Sequence, residues 1–229
     1  MRALKARMRA TVGSADRGLT LTEVLISMLL FSFVIVISGM AVVNLARAST
    51  DARMRSESAT NVLLAYQSLD RQIRYASSIN FPGVAPSGAS YIEFIVPRGS
   101  RSPNVDGSDP THDLCVQWRY IPSSGTLQTR QWEATASPSL PTFATRATLI
   151  ETPASATYPF TMIPAKAGGA VTQSLRLVLE AGGANEKSRT KVNTQLVARN
   201  SSLGSPSNAD ANNDGQSDTP VCLPSGARS

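Results

Sequence analysis

The stretch Arg17-Gly18-Leu19-Thr20-Leu21-Thr22-Glu23 stands directly before twenty uncharged, mostly apolar residues, Val24 to Val43. A short basic leader thus precedes an apolar segment long enough, as a helix, to cross a bilayer. One carboxylate, Glu23, stands at the edge of that segment. An ordinary secretory signal carries its apolar core ahead of the cleavage site and loses both together. A cut after Gly18 would fall ahead of the core and leave the anchor on the mature chain.

Charge is distributed to match. The net charge of the 229 residues is +6, but Arg2, Lys5, Arg7, Arg9 and Arg17 stand against Asp16 alone in residues 1–18. The remainder holds 17 basic and 15 acidic residues, so the basic balance is weak support for nucleic-acid binding. Basic residues flanking a membrane segment stay cytoplasmic, which places the amino end inside and the rest outside; Arg47, Arg53 and Arg55 weaken that bias without reversing it. Cys115 and Cys222 would then lie in an oxidising compartment, where pairing is expected; the alternative is two buried free thiols. A disulfide would close a loop of roughly 107 residues, about 4–5 kcal/mol in the chain-entropy account.

From Leu19 to about Ser77 no Pro interrupts a helix, and Gly39 is the only Gly. Residues 24–43 are apolar all round; beyond Asn44 the pattern turns amphipathic, with Ala59, Val62, Tyr66, Leu69, Ile73 and Ala76 on one stripe. Pro82-Gly83 ends the helical pattern. Tyr91–Val96, Leu114–Ile121, Thr126–Trp132, Leu175–Glu180 and Val192–Arg199 are strand-like, with shorter candidates around Ala147–Ile150 and Tyr158–Ile163. Pro122-Ser123-Ser124-Gly125 reads as a hairpin turn. A helix followed by strands, without βα alternation, predicts an α+β fold: a long N-terminal helix whose amphipathic half packs on an antiparallel sheet head. The expected organisation is a leader at 1–18, a membrane and assembly helix at 19–46, its amphipathic continuation at 47–80, and a β-rich head at 81–229.

In the tail, Asp210, Asn212, Asp214, Gln216 and Asp218 surround Gly215. Oxygen ligands at loop positions 1, 3, 5 and 9, a backbone carbonyl at 7 and Gly at 6 match the front of an EF-hand-type loop. Position 12 is Val221, and no helix flanks the segment. Structural calcium and a solvated Asp/Asn-rich tail both fit. Catalytic motifs are missing: His112 is the only His, in a Pro/Asp-rich loop, and Asp106, Asp109 and Asp113 read as solvated. Trp118, Tyr120 and Trp132 read as hairpin packing. Arg119, Arg130, Lys187, Arg189 and Lys191 are the candidates for a DNA-binding patch on the head.

Gly18 at the cleavage position, the run Leu19-Thr20-Leu21-Thr22 and Glu23 as fifth mature residue resemble the class III signal of type IV prepilins and type II secretion pseudopilins. Most of that family begin with Phe where this chain has Leu19, and carry an apolar residue where it has Thr22. Many major members also place a Pro midway along the membrane segment. These departures fit minor members. The resemblance implies a non-enzymatic subunit cleaved between Gly18 and Leu19 by a prepilin peptidase and N-methylated on Leu19. It also implies that Glu23 pairs with a neighbour's α-amine during assembly. Partners would be other minor and major pilins or pseudopilins and an inner-membrane assembly platform. The location would be the bacterial inner membrane, then a pilus or pseudopilus at the cell surface or in the periplasm. The hairpin Val116–Tyr120 with Leu127–Arg130 also looks like the head of J-type pseudopilins and larger minor pilins, which implies an initiating or capping role.

Overall fold

The computed structural model describes residues 20–104, 106–135, 138–151, 158–182 and 189–222; Gly18, Leu19 and Lys187 lie outside them. The first element is one helix, α1, Leu21–Arg74. Thr20 caps it: its Oγ1 accepts the Glu23 N–H at 3.3 Å, and Thr20 with Glu23 three residues on has the spacing of a capping box. The last turn carries Arg71 and Arg74, favoured by the helix dipole, and Arg74 pairs with Asp70. The chain divides into two units, Met1–Thr50 and Asp51–Ser229.

In the first unit every described residue is exposed. The helix here is long and apolar enough to cross a membrane. Two hydroxyls within the apolar segment are folded back onto the backbone: Ser27 Oγ donates to the Glu23 carbonyl at 2.7 Å and Ser32 Oγ to that of Met28 at 2.8 Å. Such bonding to the preceding turn hides a polar group that lipid would penalise.

The second unit holds the core. Ser58, Val62, Ala65, Leu69 and Ile73 form the buried stripe of α1. The expected stripe is correct for Val62, Leu69, Ile73 and Ala76; Ala65 replaces Tyr66, which sits half-buried at the flank. A methyl at that point lets the helix approach the sheets, and the ring packs beside the contact.

Two antiparallel sheets face this stripe, where the sequence suggests one. Sheet A joins β1 (Ser78–Ile79), β2 (Gly83–Val84), β3 (Ser90–Val96), β4 (Leu114–Ile121), β5 (Thr126–Glu133) and β6 (Ala144–Ala147), in the order β1-β3-β4-β5-β6, with β2 also on β3. Sheet B is β7 (Phe160–Ile163), β8 (Ser174–Ala181) and β9 (Thr190–Val197) in sequence order. Alternate residues of both sheets point inward: Ile92, Phe94, Val116, Trp118 and Leu127 from A, Leu175, Leu177, Leu179 and Leu196 from B. A polar pin ties α1 to the core, the Trp118 indole N–H donated to Gln72 Oε1 at 2.8 Å.

The β4–β5 turn forms as its sequence suggests, with the Gly125 N–H donating to the Pro122 carbonyl. Gly125 has φ +58, and a Cβ there would lie 2.9 Å from the Ile150 carbonyl oxygen, so only glycine fits.

The tail after β9 is laced to the first strands by buried polar groups. Ser207 Oγ bonds Ser78 Oγ and donates to the Ile79 carbonyl; Ser217 Oγ accepts the Phe81 N–H and donates to the Ser207 carbonyl. Ser207 is fully buried. Buried polar groups are stable when paired, and here the side chains satisfy an edge strand in place of another strand.

Candidate functional site

Glu23 sits in the first turn of α1, exposed, between the Thr20 cap and the apolar segment. Its carboxylate is the only charge from Leu21 to Ala46. Two physical roles meet at this position: local compensation of the helix N-terminus, and a charge that bilayer insertion would penalise by about 2.5–3.5 kcal/mol at mid-depth. The Thr20/Glu23 spacing was available in the sequence as a capping signal.

Cys115 and Cys222 are joined, with their Cα atoms 5.6 Å apart, so both members of the predicted pair are brought together. The bond ties the tail to the outer face of sheet A, where it packs with Trp132 and Ile95.

The loop 210–218 is shaped by its own acceptors. Asp210 takes the N–H groups of Asp214 and Gly215, Asp214 that of Gln216, and Asp218 that of Ala211, at 2.8–3.1 Å. Among the described residues no three His, Cys, Asp or Glu side chains converge as a metal-ligand set. Calcium would require these carboxylates to share their backbone partners with the ion.

The outer face of sheet A carries a polar network that the sequence did not signal. Glu93 is fully buried; Gln117 Nε2 donates to its Oε1 at 2.8 Å and Asn80 Nδ2 to its Oε2 at 3.2 Å. Gln117 Oε1 in turn accepts Arg130 Nε at 2.6 Å, so one amide relays between a carboxylate and a guanidinium. Arg119 and Arg130 both stack on Phe143, with Cζ 3.5 and 4.3 Å from the ring centroid. Burial pushes both guanidiniums below their ordinary pKa; for Arg130, Glu93 pulls upward and Arg119 further down.

The other basic candidates lie elsewhere. Arg189 pairs with Glu151 and Glu180, and Lys191 with Glu180, on sheet B. The structure therefore separates the proposed DNA-binding residues and neutralises two of them. Trp118, Tyr120 and Trp132 are buried and offer no stacking platform. His112 is half-exposed, its Nδ1 2.9 Å from Thr111 Oγ1 and 3.4 Å from Glu133. Asp106 accepts from the Ser108 N–H and Oγ, while Asp113 accepts the Arg98 N–H, so these acids serve separate turns.

Comparison with protein-family models, with curated proteins and with solved structures finds no match to this chain.

Proposed function

We propose that this chain is a membrane-anchored, non-enzymatic subunit of a type IV pilus-like filament, of the minor kind that starts or caps assembly. One observation carries the reading: the exposed, all-round apolar half of α1, with Glu23 as its only charge, continues into a half packed on a β-rich head. Helices of this kind need lipid or like helices around them. A filament supplies the second after the membrane has supplied the first. Removal of residues 1–18 would free the Leu19 amine, and Glu23 of an incoming subunit would pair with a neighbour's amine, offsetting two charges that each cost energy in lipid. A type II secretion pseudopilus offers the same anchor and the same pairing.

Mass spectrometry of the membrane-extracted protein tests processing: the expected mature chain begins at Leu19 and is methylated, and retention of residues 1–18 in peptidase-positive cells rejects the proposal. Glu23→Gln removes the charge while keeping the size of the side chain and the backbone N–H that Thr20 caps. It is expected to leave insertion and head folding intact and to block incorporation into filaments; normal incorporation would reject the pairing role. The DNA-binding alternative rests on Arg119 and Arg130. A salt-dependent DNA shift lost on substituting both arginines would favour it, and no shift at low salt would remove it.

A further inference from the structure

The edges of sheets A and B that border the tail leave a slot between them. A cavity of about 620 Å³ is walled by Phe81-Pro82-Gly83-Val84, by Phe160-Thr161-Met162 and by Asp214-Gly215-Gln216, with Tyr91 in its floor. Side chains alternate along a strand, so three consecutive residues line one cavity only where the backbone edge itself is the wall. Both walls are such edges. β7 pairs with β8 alone and β2 with β3 alone among the described residues.

Ladder parity identifies the outward groups. The Val178 N–H donates to the Pro159 carbonyl across β7 and β8, and Thr161 faces Arg176 in the same phase. Phe160 and Met162 therefore turn their N–H and C=O away from β8. On the other side the Ala85 N–H donates to the Ala89 carbonyl, which puts Gly83 in phase with Tyr91 and turns the N–H and C=O of Val84 outward.

The next stretch of the same gap is already filled by this chain. Ile79, on the β1 edge, gives its N–H to Gln173 Oε1 and its carbonyl to Ser207, while Asn208 bonds both the N–H and the C=O of Ala165, just past β7. The side chains of Ser207 and Asn208, carried on the 3-10 turn Pro206–Asn208, thus bridge the edge of sheet A and the segment leaving β7. Beside the slot the tail passes into the 210–218 loop, and among the described residues no strand pairs with these edges.

We infer that this slot receives an extended peptide segment of a partner protein, which bonds to β7 on one side and β2 on the other. This is β-strand addition between two edges. Phe81, Tyr91, Phe160 and Met162 favour apolar or β-branched residues facing inward. Asp214, which lines the slot, has no ion-pair partner among the described residues, so a Lys or Arg at the loop end of the segment is the complementary charge. Proline is excluded wherever the segment must donate. The inference stands apart from the filament reading, because it uses only the head.

The test uses the full-length protein in detergent micelles and a labelled, capped peptide, Lys-Val-Thr-Val-Thr-Val-Lys, followed by fluorescence polarisation. Saturable binding is expected, at least tenfold weaker to Val84→Pro. That substitution removes an outward N–H without touching the β2–β3 ladder, and an unchanged melting curve would certify the fold. Because odd and even peptide amides face different edges, N-methylating either alternate set should weaken binding at least tenfold. A loss from one set only, or from neither, overturns the two-edged slot. Amide exchange read by NMR should slow at Val84, Phe160 and Met162 when peptide is added. Slow exchange at all three in the free protein, or no binding at 1 mM by this peptide and by a pooled set of proline-free octapeptides, would also overturn the proposal.

Discussion

Replacing both Cys115 and Cys222 with Ala should cost the head a large part of its stability. The disulfide closes a loop of 107 residues. In the chain-entropy account that closure removes about 4–5 kcal/mol of conformational freedom from the unfolded chain. A domain is stabilised by only about 5–15 kcal/mol in total. Local packing adds to the loss: Cys115 is fully buried against Trp132, and Ala keeps only part of that contact. The expected result in urea is a fall of about 4–5 kcal/mol, a rise in m as the open chain exposes more surface, and a melting temperature lower by on the order of 10–20 °C. One competing outcome must be separated. If the tail alone detaches, its amides and those of β1 lose exchange protection, while the rest of the head keeps its urea midpoint. That pattern would show that the serine lacing holds the tail only while the tether is closed. A loss under about 1 kcal/mol with the tail still protected would refute the loop-closure reasoning itself.

Gln72→Ala leaves the Trp118 indole N–H without its acceptor and should cost about 1–3 kcal/mol in the same urea assay; a loss of a few tenths would show that the pin does not hold α1 to the sheets. Asp106 titrates below its ordinary value because the Ser108 hydroxyl, and then the Ser108 N–H, bond its carboxylate. Its depressed pKa contributes stability above the unfolded carboxylate's titration, and that contribution disappears as pH falls through the folded value. Ser108→Ala should therefore move the Asp106 titration upward by NMR, and an unmoved titration would reject the assignment. If calcium binds at 210–218, it must compete with backbone N–H donors without a bidentate twelfth ligand, and calorimetry would then give a dissociation constant on the order of 10⁻⁴–10⁻³ M. Asp214→Ala should abolish the heat; a heat that survives places the ion elsewhere.

The strands that were legible in the sequence are those whose character is local. Leu114–Ile121 and Thr126–Glu133 alternate, and Pro122-Ser-Ser-Gly125 joins them with a turn that needs glycine. β1 and β2 were not legible. Each is two residues long, has no period to detect, and exists only because β3, further along the chain, supplies its partner. The helix ends at Arg74, eight residues before Pro82 and short of the expected 80, because Ser78–Ile79 already pair with β3; Pro82-Gly83 hides the edge strand beside it. The division into two sheets depends on which strands pair, information carried by long-range contacts and not by any single segment. Glu93 reads as an outward-facing charge, yet Asn80, Gln117 and the returning tail enclose it. The tail is the largest surprise. Its Ser, Asn and Asp content resembles a solvated segment, but several of those groups are buried because backbone edges, not apolar surface, are what they cover. Of the site residues, the cysteine pair is visible in the fold, while Gly18 and Leu19 lie outside the described residues.

Trp132 offers a use that its position makes automatic. Its ring packs against the Cys115–Cys222 bond, whereas the chain's other indole, on Trp118, is sealed in the core against α1. Disulfides quench neighbouring indole emission, so opening the bridge should brighten Trp132 and leave Trp118 nearly constant. The purified molecule therefore carries its own optical gauge of oxidation, readable without a label.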